Sequence, residues 1–173
     1  MEVLVQPLTD VTKMRRACEM TMHGQTSKVT LKSIYKSEHS PIRLITFWIE
    51  MQNIPTFVSV HIVRHKHGVE HFVQSNRDDL WIDKTKQIDR NTPVNHGMYV
   101  NAQALINMSR KRLCYKSHQK TVATWMRVKN AVAKVDDDLP QFMVPECVYR
   151  NGICPELKVC KPGLDAVMKA YSK

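Results

Sequence analysis

Arg64, His65 and Lys66 are consecutive, and Ser75 and Arg77 follow in the same short stretch. A guanidinium fork, an imidazole and an ammonium side by side are what phosphate recognition uses: Arg forms paired hydrogen bonds and Lys brings compact charge. In extended chain Ser75 and Arg77 point to the same side, because strand side chains repeat every two residues. A hydroxyl beside a guanidinium can hold a phosphate or a uracil-like carbonyl. The bland alternative is a basic triplet on a solvated surface and a hydroxyl at an ordinary turn, with Asp78 and Asp79 pairing to Arg77 or the lysines. For His67, His71, His96 and Lys84 a solvated or structural role is the better reading.

Two classes are excluded. Ser75 as a nucleophile needs a base and an oxyanion hole, and no Gly-x-Ser-x-Gly elbow occurs. None of the 5 glycines falls in a GxGxxG or GxxxxGK[ST] pattern, which removes ordinary Rossmann and P-loop nucleotide binding. Any nucleotide must be held by side chains and helix ends. The formal charge of +10 favours polyanionic partners, whether nucleotides, nucleic acid or phosphorylated cofactors.

Of the 5 cysteines, Cys147, Cys154 and Cys160 cluster near the end of the chain, with Cys18 and Cys114 far from them in sequence. The C-x6-C-x5-C spacing is not the paired C-x2-C of a zinc site, and three thiolates leave a tetrahedral ion one ligand short. His118 is the one candidate for a fourth ligand. No metal is expected, and the thiols are expected to be free.

The elements that must position these groups are mixed. At 173 residues with 43% hydrophobic composition, the chain reads as one globular domain over 1–173. It has no apolar run near the roughly 18 residues of a membrane span. The acid in "MEVLVQPLTD" argues against a signal peptide, so a cytoplasmic protein is expected. "EVLV" reads as a strand and "DVTKMRRACEMTM" as a helix capped by Asp10. "SKVTLKSIYK" reads as a second helix carrying Val29, Leu31 and Ile34, and "IRLITFWIEM" as a buried strand.

"NIPTFVSVHIVRHK" reads as a helix with Asn53 as cap and Pro55 in the first turn. Phe57, Val60, His61 and Arg64 would then share a face. Residues from Asp78 to Gly97 read as a loop with a short element. "NAQALINMSRKRLCYK" is a helix with Ala102, Leu105, Ile106 and Leu113 on one face, Asn101 and Arg112 along its edge, and Gln103 and Asn107 together on another side. "SHQKTVATWMRVKNAVAKV" is a further helix, capped at Ser117, with Val122, Trp125, Met126 and Val132 inward. Pro140 closes it off, and the tail is turn-rich.

At this point three blocks resemble flavin-dependent thymidylate synthases. "RHKHGVEHFVQSNRDD" is similar to the family signature RHR-x2-S-x-N-E-x-S-x-R-Y, matching at Arg64-His65-Lys66 and Ser75-x-Arg77 with one extra residue between. "EHSP", Glu38 to Pro41, resembles the family's H-x-S/T-P region. "NAQALINMSRKR" resembles its N-A-R-S-L-x-N-F-x-x-x-R helix, and "TPVN" its proline-containing approach. The blocks span roughly residues 36–125, in order.

The resemblance implies an α+β fold like that of thymidylate synthase-complementing proteins, mainly an antiparallel sheet flanked by helices. It also implies FAD held between the subunits of a homotetramer. Reduced flavin would pass a hydride in the methylation of dUMP to dTMP, with methylenetetrahydrofolate as carbon donor and NADPH as reductant. By position, His39, Arg64, His65, Lys66, Asn101 and Asn107 would face the flavin. His61, Ser75, Arg77 and Arg112 would hold the pyrimidine nucleotide, with Ser75 and Arg112 at the reacting ring.

The departures are Lys66 for the second Arg, no N-E pair near His71 to Val73, Gln103 for the Arg of N-A-R, Asp78 for the final Tyr, and Arg43-Leu44 where the second E-H stands. The segment that normally brings another phosphate-binding Arg is largely deleted, with Arg90 as a substitute. These changes point to a diverged member acting on a pyrimidine deoxynucleotide by a related C5 one-carbon step. The alternatives are modification of pyrimidine bases within DNA, or a non-catalytic nucleic-acid-binding relative.

Overall fold

The computed structural model describes residues 1–23, 26–80 and 87–172. Lys84 lies outside them. Four antiparallel strands form the sheet: β1 (Glu2–Pro7), β2 (Thr46–Pro55), β3 (Val69–Val73) and β4 (Pro93–Asn101), in the order β1-β2-β4-β3. Helices α1 (Val11–Glu19), α2 (Leu31–Ser37), α3 (Thr56–Val63), α4 (Ala102–Arg112) and α5 (Gln119–Val132) are followed by the short α6 (Leu139–Phe142) and α7 (Glu146–Tyr149), then α8 (Leu164–Tyr171). The expected α+β architecture is present. Among the described residues no helix is long and apolar enough to cross a membrane.

Alternation along the strands sets the core face. Phe47, Ile49 and Met51 of β2 and Val94, Met98 and Val100 of β4 are buried beside Val69 of β3. Each such side chain contributes about 1.5–3 kcal/mol by leaving water. Trp125 of α5 and Leu105 of α4 close the same core, and the Trp125 indole donates to Ser109 Oγ at 2.9 Å.

β4 overturns the expected loop between Asp78 and Gly97. His96 occupies an inward position of this strand and hides its alternation, because the imidazole is buried through hydrogen bonds instead of apolar contact. Only a 3-10 turn at Asp78–Leu80 precedes it among the described residues of that span.

Other expectations shift at their ends. Asp10 caps α1, accepting from the Thr12 backbone N–H at 2.8 Å. α2 starts at Leu31 behind a Thr30–Ser33 capping box, which leaves Val29 outside it. β2 begins at Thr46 because Ser40–Leu44 coils into a 3-10 turn behind Pro41. Asn53 does not cap α3: it sits at φ +56° in the bulged end of β2, and Pro55 holds the cap position. The buried face of α3 is Phe57, Val58, Ser59 and Ile62, whereas Val60 is exposed. His118 caps α5, while the Ser117 hydroxyl instead donates to the Lys111 carbonyl. α5 ends at Val132, before Pro140; residues 145–163 are turn-rich as expected apart from the short α7, and α8 follows them.

Candidate functional site

α4 runs about 16 Å at 1.5 Å per residue and links two polar clusters. At its start Asn101 is the N-cap, its Oδ1 accepting from the Ala104 N–H at 2.8 Å. Its backbone N–H donates to the Gly68 carbonyl at 3.0 Å. Gln103 and Asn107 sit one turn apart and share a 3.3 Å hydrogen bond, as their spacing implies. With Arg43, Lys66 and Gly68 they line a cavity of about 460 Å³.

Gly68 stands at φ +73°, and a Cβ there would meet Asn101 Nδ2 at 2.5 Å. Only glycine therefore allows the loop after α3 to approach the helix cap this closely. Arg43 also lines a neighbouring cavity of about 730 Å³ that includes His39. Lys66 likewise lines a third, of about 440 Å³, that includes Arg64.

At the other end of α4, Arg112 Nε donates to His65 Nε2 at 2.9 Å. That bond occupies the His65 Nε2 lone pair, so the imidazole is neutral with its proton on Nδ1. Burial, then the charge of Arg112, pushes His65 down to about 4. Arg112 is itself lowered by burial and by Arg64. His61 is lowered by burial first, then by Arg112, Arg64, His118 and Arg90. His61 thus stands among three guanidiniums.

Phe57 forms the apolar floor. His118 packs edge-on to it at 4.7 Å, His61 at 5.7 Å, and Arg90 Cζ lies 4.8 Å from its centroid. Among the described residues neither Arg64, Arg90 nor Arg112 is paired with a carboxylate. Concentrated positive charge without a counter-ion is an anion site in electrostatic terms.

A buried relay supports His65 from below. The His65 carbonyl accepts from His71 Nε2 at 2.8 Å, His71 Nδ1 meets His96 Nε2 at 2.9 Å, and His96 Nδ1 meets Ser59 Oγ at 3.0 Å. Since a carbonyl only accepts, His71 carries its proton on Nε2. His96 then donates from Nε2 to His71 Nδ1 and accepts a hydrogen bond from the Ser59 hydroxyl at Nδ1. Burial, then His71, holds His96 down to about 4. His71 and His96 are therefore structural and not solvated.

Ser75 and Arg77 lie beyond the end of β3. Ser75 Oγ accepts from the Arg77 backbone N–H at 3.2 Å, a tight local turn in place of the extended stretch expected. Arg77 pairs with Asp79 at 2.7 Å, both side chains largely exposed. Neither lines the cavities of Lys66 or Arg112. Within one chain the structure brings together His61, Arg64, His65 and Arg112, and also Lys66, Asn101 and Asn107, with Lys66 bordering both groups. Ser75 and Arg77 line neither cluster's cavity, although their neighbours Gln74 and Asn76 line the one shared by Arg64 and Lys66.

Sequence reasoning missed several groups. Arg43 and Gly68 carry no local signal. Glu38 holds Arg110 in a salt bridge and accepts from Gln103, while the Arg110 guanidinium lies 3.5 Å over Tyr149. His118, expected near the thiols if anywhere, instead packs on Phe57. Cys114 takes that place, lining one cavity with Cys147, Cys154 and Cys160.

Sheet order, antiparallel pairing and the helix that follows β4 define an α+β fold of the flavin-dependent thymidylate synthase kind. The solved structures it matches include flavin dependent thymidylate synthase ThyX from Helicobacter pylori complexed with FAD and dUMP. That match has a TM-score of 0.61 at 13% identity, over 83% of this chain and 100% of that one. They also include a UMP/dUMP methylase, PolB, from Streptomyces cacaoi bound with 5-Br dUMP, at 0.60 and 12% over 82% and 94%. No family model and no curated protein matches the sequence. The resemblance read from the three blocks holds at the level of fold.

Proposed function

We propose that this chain is a flavin-dependent enzyme that methylates dUMP to dTMP, or carries out a related C5 one-carbon modification of a pyrimidine deoxynucleotide. The observation that carries this reading is the cluster of Arg64, Arg90 and Arg112 around His61, without a carboxylate among the described residues. It supports a phosphate and an electron-rich ring as ligand, and the fold is one on which FAD and dUMP are found bound.

The cavity along α4 fits FAD in its donor chemistry. Arg43 and Lys66 offer charge to a pyrophosphate, the amides of Asn101, Gln103 and Asn107 offer hydrogen bonds, and Gly68 leaves its wall without a side chain. His39, Arg64 and His65 complete the expected cofactor contacts. The bound flavin supplies hydride chemistry. Arg112 binds the pyrimidine through its Nη groups, its Nε being held by His65, and stabilises the charge that grows as the ring is reduced. NADPH as reductant and methylenetetrahydrofolate as carbon donor belong to the same reading.

A homo-oligomer, most economically a tetramer, accounts for Ser75 and Arg77. Ser75 and Arg77 line no cavity with Arg112 in one chain, and a second copy would bring them in to hold the nucleotide. The test is titration calorimetry with dUMP, expected to give saturable binding that R64A, R90A and R112A each weaken. Binding to DNA alone, falling steeply with salt, would instead support base modification within nucleic acid, the reading that the +10 charge favours.

A further inference from the structure

We propose that Cys114, Cys147, Cys154 and Cys160 form a tetrahedral zinc site that fastens the C-terminal segment to the end of α4. Cys114 follows α4, Cys147 lies on α7, and Cys154 and Cys160 come from residues 150–163, which contain no helix or strand. All four side chains line one cavity of about 320 Å³. Zinc takes four thiolates in this number and geometry, in sites that stabilise short, loop-rich segments.

Other fasteners are few. Among the described residues, none of 154–162 donates a backbone hydrogen bond to another backbone carbonyl. Ile153 and Leu157 point to solvent, so apolar burial does not explain the inward turn of the neighbouring thiols. Cys147 is buried, Cys114, Cys154 and Cys160 are partly buried, and all four are free thiols.

Binding breaks four S–H bonds, forms four Zn–S bonds and releases four protons to solvent, with no electron transferred. The product carries two negative charges; Lys111, Arg112 and Lys116 line the same cavity to offset them, against Glu156 and against Glu146, which pairs with Arg150. Among the described residues no group of three or more His, Cys, Asp or Glu is already arranged to hold a metal, so the segment closes on the ion as it binds.

The test uses the full chain, purified under reducing conditions from zinc-supplemented medium. Elemental analysis is expected to find zinc at one per chain. Cobalt added to the metal-free protein is expected to give thiolate-to-cobalt charge-transfer absorption. C154S and C160S should weaken cobalt binding by more than the roughly 10–100-fold that loss of an outer-shell partner costs. C18S, on a thiol outside the cavity, should leave it unchanged, and circular dichroism checks that each variant folds. Absence of stoichiometric zinc together with no charge-transfer band, disulfides among the four thiols, or a cobalt spectrum indifferent to C154S and C160S overturns the proposal.

Discussion

Arg112 and His65 lie 47 residues apart, yet Nε of the one donates to Nε2 of the other across 2.9 Å. The bond fixes the imidazole's tautomer and leaves both Nη groups of the arginine for a ligand. It ties the end of α4 to the loop after α3, so the basic cluster is set by two elements that pack on the same sheet.

R112A removes a charge-assisted contact worth about 1.5–3 kcal/mol, and dUMP binding should weaken about 10–100-fold. H65A leaves the guanidinium charged but unoriented, so its effect should be smaller. Calorimetric titration of both variants checks the order. Equal losses would mean that His65 itself contacts the nucleotide.

Acid should destabilise the fold in a defined window. His65 and His96 are held down to about 4, burial being the first cause in each, whereas an unfolded imidazole titrates near about 6.5. Above that value neither state takes the protons and the contribution is fully present. As pH falls from about 6.5 toward 4 the unfolded chain binds protons that the native chain refuses, and stability is lost. Urea midpoints across this range measure it. H96F should flatten the slope, and should itself cost about 1–3 kcal/mol by leaving Ser59 and His71 unpaired.

Much of the fold could be read from the residues. Asp10 announced α1, Pro55 the start of α3, and the apolar spacing of Ala102, Leu105 and Ile106 gave α4. β4 was missed because its inward position His96 is polar, and what makes it a core residue is Ser59 and His71, distant in sequence. The same limit governs the site. Arg64 and His65 are visible as a local motif and Arg90 as a substitute phosphate-binding Arg, but Arg43 joins the site, and Gly68 meets Asn101, only through tertiary packing. Cys114 joins the C-terminal thiols only because the tail folds back to α4.

G68A should disturb both the cap and the groove. A Cβ at φ +73° would lie 2.5 Å from Asn101 Nδ2, so Asn101 must move and the α4 cap, worth about 0.5–2 kcal/mol, is impaired. Chemical denaturation should show a loss of that order or more, and FAD affinity should fall with it. An unchanged midpoint would show that the loop yields freely.

E38Q should cost stability, not ligand binding. Glu38 is the carboxylate beside Arg110, with side chains 20% and 15% exposed, and breaking a pair this buried costs about 3 kcal/mol. Thermal melting of the variant, with dUMP titration alongside, separates the two effects.

The most direct measurement is the absorption spectrum of the purified protein, before and after adding FAD and then dUMP. A flavin band near about 450 nm that stays with the protein on gel filtration, shifts when dUMP is added, and is lost in a K66A/N107A double variant is the result expected. A colourless protein that neither retains added FAD nor binds dUMP would contradict the account.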